Sequence, residues 1–203
     1  MTFLALIIAL VLERLSPLED WLDGGGWFDR WQGQLASLGL GGGLQAVFSV
    51  GVPVVLAHLV LNALQPLLFG LAWMAAAVLL LLYSFGRSNL GAFQERYRSQ
   101  CRREDFQAAW LATSSEFKWF EPKEQLDAIL IHKRIQQGFL YENYQRWFAV
   151  LFYFLLLGPL GALAYRLLYM TCEGEASRQH ILFYVDWVPV RLLAAAFTLT
   201  GNF

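Results

Sequence analysis

Residues 44–85 run for 42 consecutive positions without Asp, Glu, Lys or Arg. A helix at the surface of a soluble domain keeps a charged face for water, and this run has none to offer. A bilayer core asks for ~20 apolar residues per helical crossing, so residues 44–85 predict a transmembrane hairpin. Gln65 and Pro66 lie near its middle and mark the turn, because proline removes a ladder donor and disfavours helix in the residue before it. Gly51 and Pro53 predict a kink within the first span. His58 and Asn62 stand one turn apart in the same span. Intramembrane polar groups are functional candidates, but a neutral histidine without an acidic neighbour reads better as an interhelical hydrogen bond that packs the bundle.

Composition extends the argument to the whole chain. Apolar residues make up 57% and charged residues 15%, against ~45–50% and ~25% in soluble domains. Fifteen Lys+Arg against 16 Asp+Glu leave a net charge of −1. That excludes a disordered chain, which needs low hydrophobicity and high net charge. It also argues against nucleic acid as a partner, since no basic surplus exists to meet phosphates. Two cysteines exclude a disulfide scaffold. Eight Trp, eight Tyr and 16 Phe suit a protein with broad lipid–water boundaries. The predicted class is all-α: a polytopic helical membrane protein, residues 1–203 forming one membrane domain with a helical cytoplasmic loop.

Residues 1–18 read as an N-terminal anchor helix. The apolar start lacks the basic residues and small-residue cleavage site of a signal peptide. Glu13 either ends a tilted anchor that stops near Pro17 or sits at the membrane edge facing a site. Residues 19–43 are glycine-rich, with Trp21, Trp27, Phe28 and Trp31 interspersed. No Lys-Ser/Thr follows the glycines and no strand precedes them, so this is no phosphate loop; it reads as an interfacial segment lying on the bilayer.

Residues 86–146 carry ten of the 15 basic residues, among them Arg87, Arg98, Lys133 and Arg146. The positive-inside rule keeps such a loop cytoplasmic, and a tight hairpin at 65–66 then places residues 19–43 on that side too. Leu90, Phe93, Tyr97 and Cys101 recur at helical spacing and predict a buried stripe. Ser114 and Ser115 predict a break. Pro122 opens a second helix, whose buried stripe starts at Leu126, Ile129 and Leu130. Glu142 and Arg146 share a face at i, i+4. Basic residues here suit an anionic ligand or phospholipid headgroups, although Glu95, Glu104, Asp105 and further acids dilute them into a solvated face.

Residues 147–170 hold two apolar arms about Gly158-Pro159-Leu160-Gly161. They form either one kinked span or a re-entrant hairpin, and the cytoplasmic placement of Arg166, Arg178 and Arg191 favours the hairpin. Residues 183–200 read as a membrane-associated helix in which Asp186 and Arg191 flank Pro189. Charges placed there are costly unless they pair with each other or with a ligand. His58, His132 and His180 lack ligand spacing, Cys101 and Cys172 stand alone, and no nucleophile elbow occurs. No metal site is expected, and both cysteines are expected as free thiols.

The segments FLALIIALVLERL, FLYENYQRWFAVLFYFLLLGPLGALAYRLL and VDWVPVRLLAAAF resemble the AmpE family, with DWVPVRL at residues 186–192 the most specific match. That resemblance implies a bacterial inner-membrane, multi-pass signalling protein of β-lactamase regulation and the response to antibiotic. AmpE proteins are in turn similar to the CbiB/CobD cobalamin-pathway enzymes, which form an amide between an amino-alcohol phosphate and a corrinoid carboxylate using ATP and Mg²⁺. Glu142-Asn143 matches the Glu-Asn pair of those enzymes, residues 158–161 their glycine turn, and Asp186, Pro189, Arg191 and Leu192 their last motif. Arg146 stands where an acid is expected, and the Gly-Asp-Pro and Thr-x-Asp-Ser-Met motifs have no counterpart. A Mg²⁺–triphosphate site needs several carboxylates, so the departures argue against catalysis and for no cofactor. The resemblance further implies a terminal membrane helix beyond Phe203 and more chain around residues 170–182.

The resulting expectation is a ligand-binding cluster of Glu13, Arg87, Glu142, Asn143, Asp186 and Arg191 at the cytoplasmic membrane edge. Its expected partners are the lipid bilayer, a small anionic ligand and a second copy in a homo-oligomer. The alternative is a CbiB-like membrane-bound ligase acting on a phosphate-bearing substrate. A transporter ranks below both, since no internal repeat of broken helices is found.

Overall fold

The structure, a computed structural model, describes residues 2–15, 25–39, 41–66, 70–86, 90–103, 105–116, 128–172 and 179–201. Among these, every regular element is helical. The elements are α1 (Thr2–Leu15), α2 (Gly25–Ser37), α3 (Gly42–Leu64), α4 (Leu71–Phe85), α5 (Leu90–Arg102), α6 (Phe106–Glu116) and α7 (Ala128–Asn143). After a π-helical segment, Tyr144–Ala149, come α8 (Val150–Leu157), α9 (Pro159–Cys172) and α10 (Gln179–Thr200). Contacts divide the chain into two compact units, one of residues 1–86 with 146–203 and the other of residues 87–145.

In the first unit α9 is the central helix, packing against α3, α4, α8 and α10. Pro159 starts it, where a missing N–H costs nothing and the preceding Gly158 takes φ +73°. That left-handed residue reverses the chain. The Tyr153 and Tyr165 rings, twelve residues apart in sequence, stack with centroids 5.2 Å apart. In one straight helix they would stand ~18 Å apart, so α8 and α9 form a helical hairpin. Gly161 makes the approach feasible: a Cβ there would overlap the Tyr153 carbonyl oxygen. On the other side α1 packs on α4, with Ala5 and Ala9 fully buried. Small residues one turn apart let two helix backbones approach closely.

The charge-free stretch divides unevenly. α3 has 23 residues, whereas α4 has 15, ~22 Å at 1.5 Å per residue and short of a ~30 Å hydrocarbon core. α4 is thus shorter than the ~20 residues expected of each crossing. The arm starts late because Gly70, at φ 85°, breaks the helix before Leu71. Among the described residues, the two helices long and apolar enough to cross a membrane are Gly42–Leu64 and His180–Thr200, each only 17% buried in its apolar window. Thr2–Glu13 and Leu71–Phe85 are shorter apolar helices.

His58 and Asn62 bond to each other at 3.0 Å within α3, on an exposed face. The expected bond between helices is thus an i, i+4 bond within one, because both side chains rise from the same stripe. α2 turns Phe28 and Leu35 inward, and Phe28 joins Leu163 and Leu167 in the core. A buried polar contact crosses this core: Ser49 Oγ and Thr171 Oγ1 lie 3.2 Å apart, and Gln32 donates to Thr171 at 3.4 Å.

The second unit is built on Phe93, Tyr97, Ala109, Ile135 and Phe139, with Cys101 packed beside them. Of the stripe predicted on α5, Phe93, Tyr97 and Cys101 face this core; the side chain of Leu90 lies outside the described residues. The break predicted at Ser114-Ser115 lies beside the end of α6, whose last residue is Glu116. The Ser115 hydroxyl donates to the Ala112 carbonyl at 2.9 Å, a back-bond that keeps serine in a helix. A further interruption, between α5 and α6, was not expected: there Asp105 Oδ1 accepts the Ala108 N–H at 3.1 Å and caps α6. Pro122 and Leu126 lie outside the described residues, as do the side chains of Ile129 and Leu130.

Candidate functional site

The second unit contains a cavity of about 260 Å³ between α5 and α7. α5 contributes Gln94, Tyr97 and Arg98, and α7 contributes His132, Gln136, Phe139, Leu140 and Asn143. Each polar set follows helical spacing: Gln94 and Arg98 are four apart, as are His132 and Gln136, with Asn143 two turns on. The arrangement centres on His132. Its Nε2 lies 2.8 Å from the Gln136 amide nitrogen and its Nδ1 lies 2.9 Å from the Tyr97 hydroxyl. With the Gln136 amide in this orientation it donates to Nε2, so the imidazole proton sits on Nδ1 and is donated to the Tyr97 oxygen. The Tyr97 hydroxyl keeps its own proton to donate. The two rings stack at 13°, which fixes the histidine plane.

Burial raises the Tyr97 phenol above its ordinary value, with the neighbouring Cys101 adding to the shift. Tyr97 is therefore a neutral donor throughout the physiological range. Asn143 is held by a bond from Nδ2 to the Phe139 carbonyl at 2.8 Å. Both imidazole nitrogens are engaged by protein groups, which holds the ring in place at the cavity wall. Its volume lies below the ~300–1,000 Å³ of pockets that enclose drug-sized ligands. A small group such as a phosphate or carboxylate fits, with Arg98 supplying charge.

The first unit places three of the expected site residues. Glu13 meets Arg146 at 3.8 Å, both largely buried. Asp186, 3% exposed, accepts the Tyr165 hydroxyl at 2.7 Å. One residue earlier the Val185 carbonyl accepts the Tyr153 hydroxyl at 2.8 Å, so the stacked tyrosines of the hairpin hold both positions of α10. Arg191 lies over the Trp187 ring at 3.9 Å, on the exposed side. Asp186 and Arg191 are thus accommodated differently, one by a buried hydroxyl and one by an aromatic face.

Glu142 and Asn143 belong to the second unit, and Arg87 lies outside the described residues. Arg146 sits within the π-helical segment. Its i→i+5 pattern changes the side-chain period that the expected Glu142–Arg146 pairing assumed. The sequence reasoning missed Tyr97, Arg98, His132 and Gln136 as a group. Their signal was a polar ladder (Gln94/Arg98 and His132/Gln136) running beside each apolar stripe.

The model of one protein family, described as regulatory signalling modulator protein AmpE, matches residues 1–203. No curated protein and no solved structure matches the chain.

Proposed function

The chain belongs to the AmpE family of regulatory signalling modulators, and from that premise we propose that it is a multi-pass protein of the bacterial inner membrane that modulates β-lactamase induction in the response to antibiotic. Its input is a small anionic ligand bound on the cytoplasmic side. The observation that carries the ligand is the polar cavity around His132, where Arg98, Tyr97 and Asn143 converge. Membrane placement is supported by two helices long and apolar enough to cross. The orientation is supported by residues 86–146, which hold ten of the 15 basic residues.

The ligase alternative needs a carboxylate set for Mg²⁺ and triphosphate. Among the described residues no three His, Cys, Asp or Glu gather to hold a metal ion. The described residues thus offer no observation that favours this reading over the regulatory one.

The test uses a host lacking its own copy of the protein, restored with wild type, Arg98→Gln or His132→Gln. A lost charge-assisted hydrogen bond weakens binding ~10-fold or more. The Arg98→Gln strain should therefore need about tenfold more inducer for the same β-lactamase output, at equal membrane abundance. Titration of the purified chain with inorganic phosphate, followed through the His132 ring resonances, should show saturable shifts that Arg98→Gln weakens. Identical induction curves for wild type and both variants would overturn the ligand reading.

A further inference from the structure

We propose that the groove between α2 and α3 is a binding site for an anionic membrane phospholipid, with Arg30 taking the phosphate. The proposal rests on the membrane reading above. The groove is a cavity of about 500 Å³, within the ~300–1,000 Å³ range of ligand sites. Its two walls differ in chemistry. α2 supplies Arg30, Gln34 and the indoles of Trp27 and Trp31, while α3 supplies Val52, Pro53 and Leu56.

That pairing matches an amphiphile. A free phosphate would gain nothing from the α3 wall, and a purely apolar guest would leave a guanidinium beside it. The apolar wall also continues outward: Val47, Phe48, Val55 and Leu59 of α3 are exposed, giving an acyl chain a path from the groove along the helix.

Arg30 is held in place for this role. Its Nε donates to the Gly26 carbonyl at 2.8 Å, which lays the side chain back along α2. A cation at the edge of hydrocarbon is costly until an anion accompanies it, and basic pockets between membrane helices take lipid headgroups for that reason. Trp31 provides a second, independent pointer. Its indole N–H is buried with no hydrogen-bond acceptor, although the ring is fixed against the Phe28, Leu163 and Leu167 core. A buried donor without an acceptor is destabilising, and a small turn of the indole toward the groove it lines would bring the N–H to a headgroup oxygen. Trp27 and Trp31 lie on a helix whose inner face is buried in the bundle, the setting in which indoles mark headgroup depth.

Native mass spectrometry of the full chain in detergent, titrated with phosphatidylglycerol or phosphatidylcholine, tests the assignment. Wild type should retain phosphatidylglycerol about tenfold more tightly, the scale of a charge-assisted contact. Arg30→Gln should abolish the preference, and Arg30→Lys should restore part of it. Trp31→Phe should weaken phosphatidylglycerol retention with unchanged helical circular dichroism. Equal retention of the two lipids by wild type overturns the proposal, whatever the variants do. So does displacement of bound lipid by inorganic phosphate, which would make the site one for the free anion. Release of the wild-type chain from membranes by alkaline carbonate would instead sink the membrane reading, a failure separate from loss of lipid preference in a chain that stays embedded.

Discussion

Single side chains decide how this protein tolerates polar groups in apolar surroundings. Asp186 is nearly inaccessible, and Tyr165 donates to it. Tyr165→Phe removes that donor while keeping the ring, so thermal unfolding in detergent should show a loss of about 1–3 kcal/mol. Glycines separate in the same way. Gly161→Ala forces a methyl into the Tyr153 carbonyl and should cost about 1–3 kcal/mol by overpacking. Gly51→Ala meets open space and should be neutral or stabilising by up to ~1 kcal/mol; equal destabilisation by both would contradict the packing of α8 on α9. Tyr97 gives a pH signature. Its folded pKa is raised, so its contribution is intact below the ordinary phenol value of ~10 and is lost as pH rises beyond it. Alkaline titration at 295 nm should show a late-ionising component past the main transition, and Tyr97→Phe should reduce its amplitude by one phenol. None of these pairings was legible in sequence. Tyr97, as part of a spaced stripe, was assigned to a core, but its partner His132 lies 35 residues away, and spacing within one helix carries no information about the helix opposite.

At the scale of elements, apolar periodicity and glycine breaks were more legible than side-chain caps. The stripe of Phe93, Tyr97 and Cys101 on α5, the helices α5, α6 and α7 and the turn at Gly158 were readable because each follows from local pattern or a local glycine. The start of α6 was not. The Ser-Ser pair stands beside the end of that helix, whereas the cap that opens it is Asp105, one acid among several in the same loop. Asp105→Ala should cost the second unit about 0.5–2 kcal/mol, with Asp105→Asn close to wild type; amide hydrogen exchange over residues 106–116 would register the difference. The hairpin at residues 147–170 was favoured over a kinked span by charge placement and not by apolar pattern. Both conformations use the same two apolar arms, and the stacking of Tyr153 on Tyr165 distinguishes them.

For the whole molecule, the proposed orientation makes a directional prediction. In a variant with Cys101 and Cys172 replaced by serine, a cysteine at exposed Gln65 should react with an impermeant maleimide from outside spheroplasts. One at exposed Ser115 should react only in everted vesicles. Reversed labelling would overturn the orientation and move the His132 cavity to the other side. Amino-acid order alone established a helical, lipid-compatible chain with a basic middle, because burial against hydrocarbon and helical periodicity are properties of consecutive residues. It also carried the resemblance that the full-length family match supports. Tertiary structure alone brought Tyr97 to His132, Tyr165 to Asp186, Glu13 to Arg146, and the Arg30 face of α2 to the apolar face of α3. Each of those contacts depends on how separate helices dock. Docking is set by small residues, one left-handed glycine and the shapes of two surfaces together, none of which a single segment encodes.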